Sequence, residues 1–129
     1  MDVFGRLAAV SVEGGGPEAM LDLCGEDVVF EFPFAPPGRP ERVEGKAALR
    51  EYLRSVADAV RLEAVPSLEV HESVDPNVAI IEMTTTGTVT ATGAPFRQRY
   101  VAILTVRDGL ISHYRDYWNP LWSAQWSAA

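Results

Sequence analysis

Asp116 is the residue of this chain best placed to move a proton. It lies in the run His113-Tyr114-Arg115-Asp116-Tyr117-Trp118, inside a strand-like segment at 110–118. Its direction depends on the preceding turn, because strand side chains alternate faces and a one-residue slip reverses them all. Arg107-Asp108-Gly109 fits a three-residue hairpin loop, with the glycine left-handed and a bulge beside it. Val106 then pairs with Leu110, and Ser112, Tyr114, Asp116 and Trp118 continue the inward face. A two-residue Asp-Gly turn would instead send Asp116 outward. With the longer loop, the carboxylate sits amid Phe30, Phe32, Tyr100 and Trp118, loses solvation, and its pKa rises. Such a group holds a proton near neutrality and serves as general acid or base. The competing reading is structural: a surface charge, or a buried carboxylate paired with Arg115 or a backbone N–H.

Tyr100, on the inward face of the preceding strand, is the second catalytic candidate, placed to polarise a substrate oxygen. Tyrosines also fill cores, and Tyr100 and Tyr114 have that alternative. Gln98 at an inward position needs hydrogen-bond partners, which a polar ligand or Asp116 would supply. Phe30, Phe32, Tyr52, Met83, Thr85, Gln98, Tyr114 and Trp118 make up the expected ligand-lining set. His71 and His113 are far apart and lack an acidic spacing motif, so no metal site is expected. Cys24 stands alone, which excludes an internal disulfide or thiolate cluster. Gly14-Gly15-Gly16 reads as a break between helices rather than a phosphate loop, and no cofactor is expected.

The elements that must position these groups follow from periodicity. Val3, Phe4, Leu7 and Ala8 mark a short helix over 2–12, and Pro17 opens a second, carrying Met20, Leu21, Leu23 and Cys24, that stops near Gly25. A Val- and Phe-rich strand spans 27–34, followed by the stiff loop Ala35-Pro36-Pro37-Gly38-Arg39-Pro40, which cannot continue a ladder. In the helix at 46–60, Leu49, Leu53, Val56 and Val60 form one stripe, while Lys46, Arg50, Arg54 and Asp58 face water. Strands follow at 67–73, 78–91, 95–107 and 110–118. Ala79, Ile81, Met83, Thr85, Gly87 and Val89 should face the helices, as should Phe96, Gln98, Tyr100, Ala102, Leu104 and Val106. The order of helices, strand, helix and four-strand meander is α+β. Val101, Ile103, Ile111 and Tyr117 give the outward face an apolar character, so a face-to-face homodimer is expected. Trp122 and Trp126 would cap the pocket mouth or pack on the partner.

Length and charge bound the rest. At 129 residues the chain reads as one domain, 1–129, and its 47% hydrophobic content suffices for a core. A net charge of −7 argues against nucleic acid and anionic membranes, which need a basic footprint. No apolar run approaches the roughly 20 residues of a membrane span. Met1-Asp2-Val3 does not begin a secretory leader, so a soluble, cytoplasmic protein is expected.

Two segments carry a family likeness. Phe30-Glu31-Phe32-Pro33-Phe34-Ala35-Pro36-Pro37-Gly38-Arg39-Pro40-Glu41-Arg42-Val43-Glu44-Gly45 resembles the strand and proline-rich loop of the phenazine-biosynthesis A/B proteins. His113 to Leu121 resembles the final strand of SnoaL-like proteins. The resemblance implies a nuclear-transport-factor-2-like cone: a curved antiparallel or mixed sheet wrapped around three helices, with an internal apolar pocket for a small molecule. It puts Asp116 where the phenazine A/B proteins have an acid/base glutamate and where limonene-epoxide-hydrolase-type proteins have an aspartate. The hydrolase type also needs Arg-x-Asp on the neighbouring strand, where this chain has Met83-Thr84-Thr85. Ketosteroid isomerases place aspartates at positions that look like Phe32 and Ala102 here. The expectation is therefore an isomerase, cyclase or condensing enzyme of secondary metabolism acting without a cofactor. A non-catalytic binding protein and an epoxide-opening enzyme are the alternatives.

Overall fold

The structure, a computed structural model, describes residues 16–121; the expected helix over 2–12 and the two tryptophans Trp122 and Trp126 lie outside them. The described elements are α1 (Gly16–Leu21), β1 (Cys24–Glu31), β2 (Arg42–Glu44), α2 (Lys46–Ala59), β3 (Val60–Glu72), β4 (Val78–Val89), β5 (Pro95–Arg107) and β6 (Leu110–Trp118). The six strands form one sheet in the order β2-β1-β6-β5-β4-β3. β1 runs parallel to β6, and every other neighbouring pair is antiparallel. One face of the sheet is packed by the helices; the core comprises Leu21, Leu23, Leu49, Phe30, Phe32, Ile81, Leu104, Tyr114 and Trp118 among others.

Helix α2 starts after Gly45, whose φ of 84° and ψ of 157° suit only glycine. Its N–H bonds to the Val28 carbonyl at 2.7 Å, which ties the helix start to β1. Leu49 is fully buried on the expected stripe, and Val60, the last member of that stripe, is already the first residue of β3.

Several expectations are corrected. The second helix ends at Leu21 rather than near Gly25, and Cys24 opens β1, which ends at Glu31 instead of spanning 27–34. Strand β3 begins at Val60 rather than 67, and Pro66 lies inside it. An edge strand tolerates a proline, because its missing N–H faces no ladder partner, and the pairing with β4 is irregular around Ala64 and Ser67. The short strand β2 returns out of the proline-rich loop and pairs Val43 with Phe30. The turn before β6 has two residues, not three: Arg107 pairs with Leu110 across Asp108 and Gly109, both with positive φ (55° and 78°). That is the twist-matched hairpin turn Asp-Gly favours.

That shorter turn would have put Asp116 outside, but a second irregularity reverses its effect. Val106 pairs with Ile111 and Thr105 with His113, leaving Ser112 as an extra residue. Its hydroxyl donates to the Thr105 carbonyl at 3.2 Å. From Tyr114 onward the parity is the one expected, with Leu104 opposite Tyr114 and Ala102 opposite Asp116. Ile111 moves inward instead and is fully buried, so it leaves the list of outward apolar residues.

Candidate functional site

The inward residues of β4 and β5 follow the expected alternation. Thr85, Gln98, Phe96, Ala102 and Leu104 are buried, with Met83 and Tyr100 half-buried between them. Three rows cross the sheet on this face. Ile81, Ala102 and Asp116 form one, Met83, Tyr100 and Trp118 the next, and Thr85 and Gln98 the third.

The parallel pairing of β1 with β6 adds the aromatic wall. Phe30 lies opposite Tyr114 and the rings stack at 4.5 Å with 6° between planes. Phe32 is 2% exposed and tilts against Trp118 at 5.4 Å. Helix α2 closes the group from above, with the Tyr52 ring stacked on Phe32 at 4.7 Å. The structure thus brings Asp116, Tyr100, Tyr52, Tyr114, Phe30, Phe32, Met83 and Trp118 around one region. Gln98 and Thr85 lie one row beyond Tyr100 and make no bond to Asp116.

Asp116 keeps some accessible surface as a residue, yet its Oδ1 is shut off and has no hydrogen-bond partner. Burial alone lifts its pKa far above the ordinary carboxylate range, and no cation acts to lower it. Neither structural alternative applies: Arg115 does not pair with it, and no backbone N–H reaches Oδ1. Three phenols feel its field. Tyr52 is pushed up to about 12 by burial and then by Asp116, with Arg39 pulling weakly the other way. Tyr100 and Tyr114 rise further for the same two reasons. The nearby Thr85 hydroxyl moderates the rise at Tyr100, although its Oγ1 makes no bond of good geometry. At neutral pH these phenols are donors.

Gln98 is fully buried with both amide atoms unpartnered. Sequence reasoning placed it correctly; it could not tell that the side chain stands apart from Asp116.

The outer face carries features the sequence reading missed. An open groove of about 630 Å³ is lined mainly by outward residues, among them Phe34, Glu82, Thr84, Arg99 and Tyr117, and also reaches Met83, Tyr100 and Trp118 of the inward set. Phe34, from the proline-rich loop, meets Tyr117 edge-on at 5.3 Å. His71 bonds to Glu82 at 2.8 Å, with Glu69 at 3.5 Å, and all three are exposed. His113 faces outward as expected, where it is bonded to Glu31 rather than left free. That bond holds the Glu31 carboxyl below its usual range.

Known proteins resemble this chain in sequence and fold. An uncharacterized Bacillus subtilis protein, YesE, is 45% identical over 104 residues, covering 81% of this chain and 71% of its own. An uncharacterized PhzA/B-like protein of Pseudomonas aeruginosa is 36% identical over 110 residues, covering 85% and 77%. A crystal structure from Bacillus subtilis, provisionally named an isomerase, is 36% identical, with a TM-score of 0.82 over 99% of this chain and 96% of that one. A provisionally named polyketide cyclase from Pseudomonas putida shares the fold at 20% identity, with a TM-score of 0.80 over 97% of both chains. The SnoaL-like domain matches residues 6–114, and with these relatives it shows that the chain belongs to the SnoaL-like family, on the nuclear-transport-factor-2-like fold.

Proposed function

We propose that the protein is a cofactor-independent acid–base catalyst of the isomerase or cyclase kind. Its substrate would be a small, partly apolar secondary metabolite such as a polyketide-like or aromatic ketone. The observation that carries this reading is the Asp116 carboxyl, buried at Oδ1, unpartnered and ringed by phenols. A carboxyl whose burial favours its protonated form can hand its proton to one substrate atom and recover one from another. No external acid is then consumed. Tyr100 donates to the substrate oxygen where negative charge develops. Phe30, Phe32, Met83 and Trp118 exclude water, which strengthens both interactions. The provisional isomerase name of the 36% identical Bacillus subtilis structure is consistent with this class of reaction.

A second reading is a binding protein on the same scaffold. It is favoured by the inward-facing described residues, which offer no second carboxylate and no histidine to share the proton work. Epoxide opening would rest on Asp116 alone, since Met83-Thr84-Thr85 lacks the additional charged pair.

Wild type and Asp116→Asn are incubated with a metabolite extract of the producing organism and compared by mass spectrometry. The expected result is a product made by wild type and reduced about 10²–10⁴-fold with the variant. If both proteins only retain the same unchanged compound, catalysis is refuted and the binding reading stands.

A further inference from the structure

Tyr52 is the feature of this site that its acid–base description leaves unused. It reaches the site from α2, whereas Asp116 and Tyr100 come from the sheet, so its ring enters from the helix side. Its ring is fixed by the stack on Phe32, which itself leans on Trp118, two residues from Asp116 on the same face. The Tyr52 carbonyl accepts the Ser55 hydroxyl at 2.7 Å, but its own hydroxyl has no hydrogen-bond partner among the described residues. A phenol held in place by stacking and left unbonded beside a buried carboxyl is a donor awaiting an acceptor.

The charges around it narrow what that acceptor can be. The groups acting on Tyr52 are Asp116 and Arg39, and those acting on Tyr100 are Asp116, Thr85 and Tyr52. Arg39 sits on the proline-rich loop and has a further interaction of its own. No cation acts on Asp116. Arg39 is thus the one cation acting on any of these groups, and it acts on Tyr52 alone. A carboxylate or phosphate at the reacting centre, between Tyr100 and Asp116, would be desolvated mainly against phenols and next to a carboxyl it would keep from ionising. A neutral carbonyl avoids that cost and accepts two phenolic hydrogen bonds.

Resting on the acid–base reading above, we propose that Tyr52 and Tyr100 together hold the oxygen of a neutral, enolisable carbonyl compound against the Asp116 carboxyl. Tyr52 is thus a second substrate-contacting donor, and the site selects against ligands that are anionic at the reacting end. The enol formed on proton transfer carries its oxygen between the two phenols. Asp116 gives its proton to the carbonyl oxygen and takes one from the adjacent carbon; that C–H pair becomes the C=C bond, the C=O π pair becomes the O–H bond, and the carboxyl ends as it began.

The test uses binding, not turnover. Isothermal titration calorimetry at pH 7 compares 2-naphthol, a neutral enol mimic, with naphthalene and with 2-naphthoate, an anion on the same ring. Wild type should bind 2-naphthol at least tenfold more tightly than 2-naphthoate. Tyr52→Phe keeps the ring stack and should lose about five- to tenfold in 2-naphthol affinity, as expected for one hydrogen bond, with naphthalene unchanged. Unaltered 2-naphthol binding by Tyr52→Phe would overturn the role of Tyr52. Equal or tighter binding of 2-naphthoate by wild type would overturn the neutral-ligand selection. Asp116→Asn separates the two readings. If it still makes the wild-type product in the metabolite-extract comparison above while Tyr52→Phe loses 2-naphthol affinity, the acid–base reading alone fails.

Discussion

The behaviour of Asp116 with pH follows from the direction of its shift. Its native pKa is raised by burial, and its unfolded value is about 3.9. Between those two values the native state holds a proton that the unfolded state has released. Stability therefore falls as pH rises through that window, by the linkage between proton binding and folding. Asparagine cannot ionise, so Asp116→Asn should lose this dependence. Urea melts of both proteins between pH 4 and pH 7 should show the variant gaining on wild type as pH increases. A constant difference across that range would mean that Asp116 is not buried as described. The same melts guard the turnover experiment, since a variant as stable as wild type loses activity for chemical reasons. Part of this was legible in the sequence: alternation, counted from an assumed three-residue turn, placed Asp116 beside Tyr100 and Trp118. The route was not, because the shorter turn and the extra residue Ser112 cancel in parity. Bulges leave no periodic signature, and two opposite errors gave the right face. Gln98 illustrates the remaining gap, since strand parity fixes its face but says nothing of how far it stands from Asp116.

Element limits were legible at β5 and β6, which agree with the alternation, and less so elsewhere: β1, expected over 27–34, runs Cys24–Glu31 although it has two neighbours. At the β3 edge, Pro66 looked like a beginning and lies inside the strand. One close approach depends on that extension. A Cβ built on Gly87 would lie 2.1 Å from the Arg61 carbonyl oxygen and 3.0 Å from Leu62 Cα. These are backbone atoms, which cannot rotate aside as a side chain can. Gly87→Ala should therefore cost about 1–3 kcal/mol, the range of overpacking, even though alanine suits strands better than glycine in isolation. Chemical denaturation gives the magnitude, and hydrogen exchange should find the loss concentrated at the β3–β4 pairing. A neutral Gly87→Ala would mean that β3 does not run this close to β4. The sequence marked position 87 only as inward; the glycine requirement arises from a strand whose first seven residues the pattern had missed.

At the scale of the molecule, the helices cover one face of the sheet and leave the other open among the described residues. That face is mixed: Val101 is 41% exposed, Ile103 and Tyr117 are half-buried, and Phe34 is 56% exposed beside Tyr117. The Glu69, His71 and Glu82 group and Arg99 lie around this strip, so an apolar centre has a polar rim, as protein interfaces do. We propose that a second copy of the chain packs here, face to face, across a two-fold axis. Removing Ile111 from the outward set makes Val101 the centre of the patch rather than one of a longer row. A charge there would be buried without a partner in both copies at once. Val101→Glu should therefore yield a monomer, while Val101→Leu should keep the wild-type mass by sedimentation velocity. The site itself points to the other face, so the Val101→Glu monomer should retain 2-naphthol binding within about threefold if the protomer folds alone. A wild type that sediments as a monomer would refute the interface outright. A dimer unaffected by Val101→Glu would move the contact away from this face.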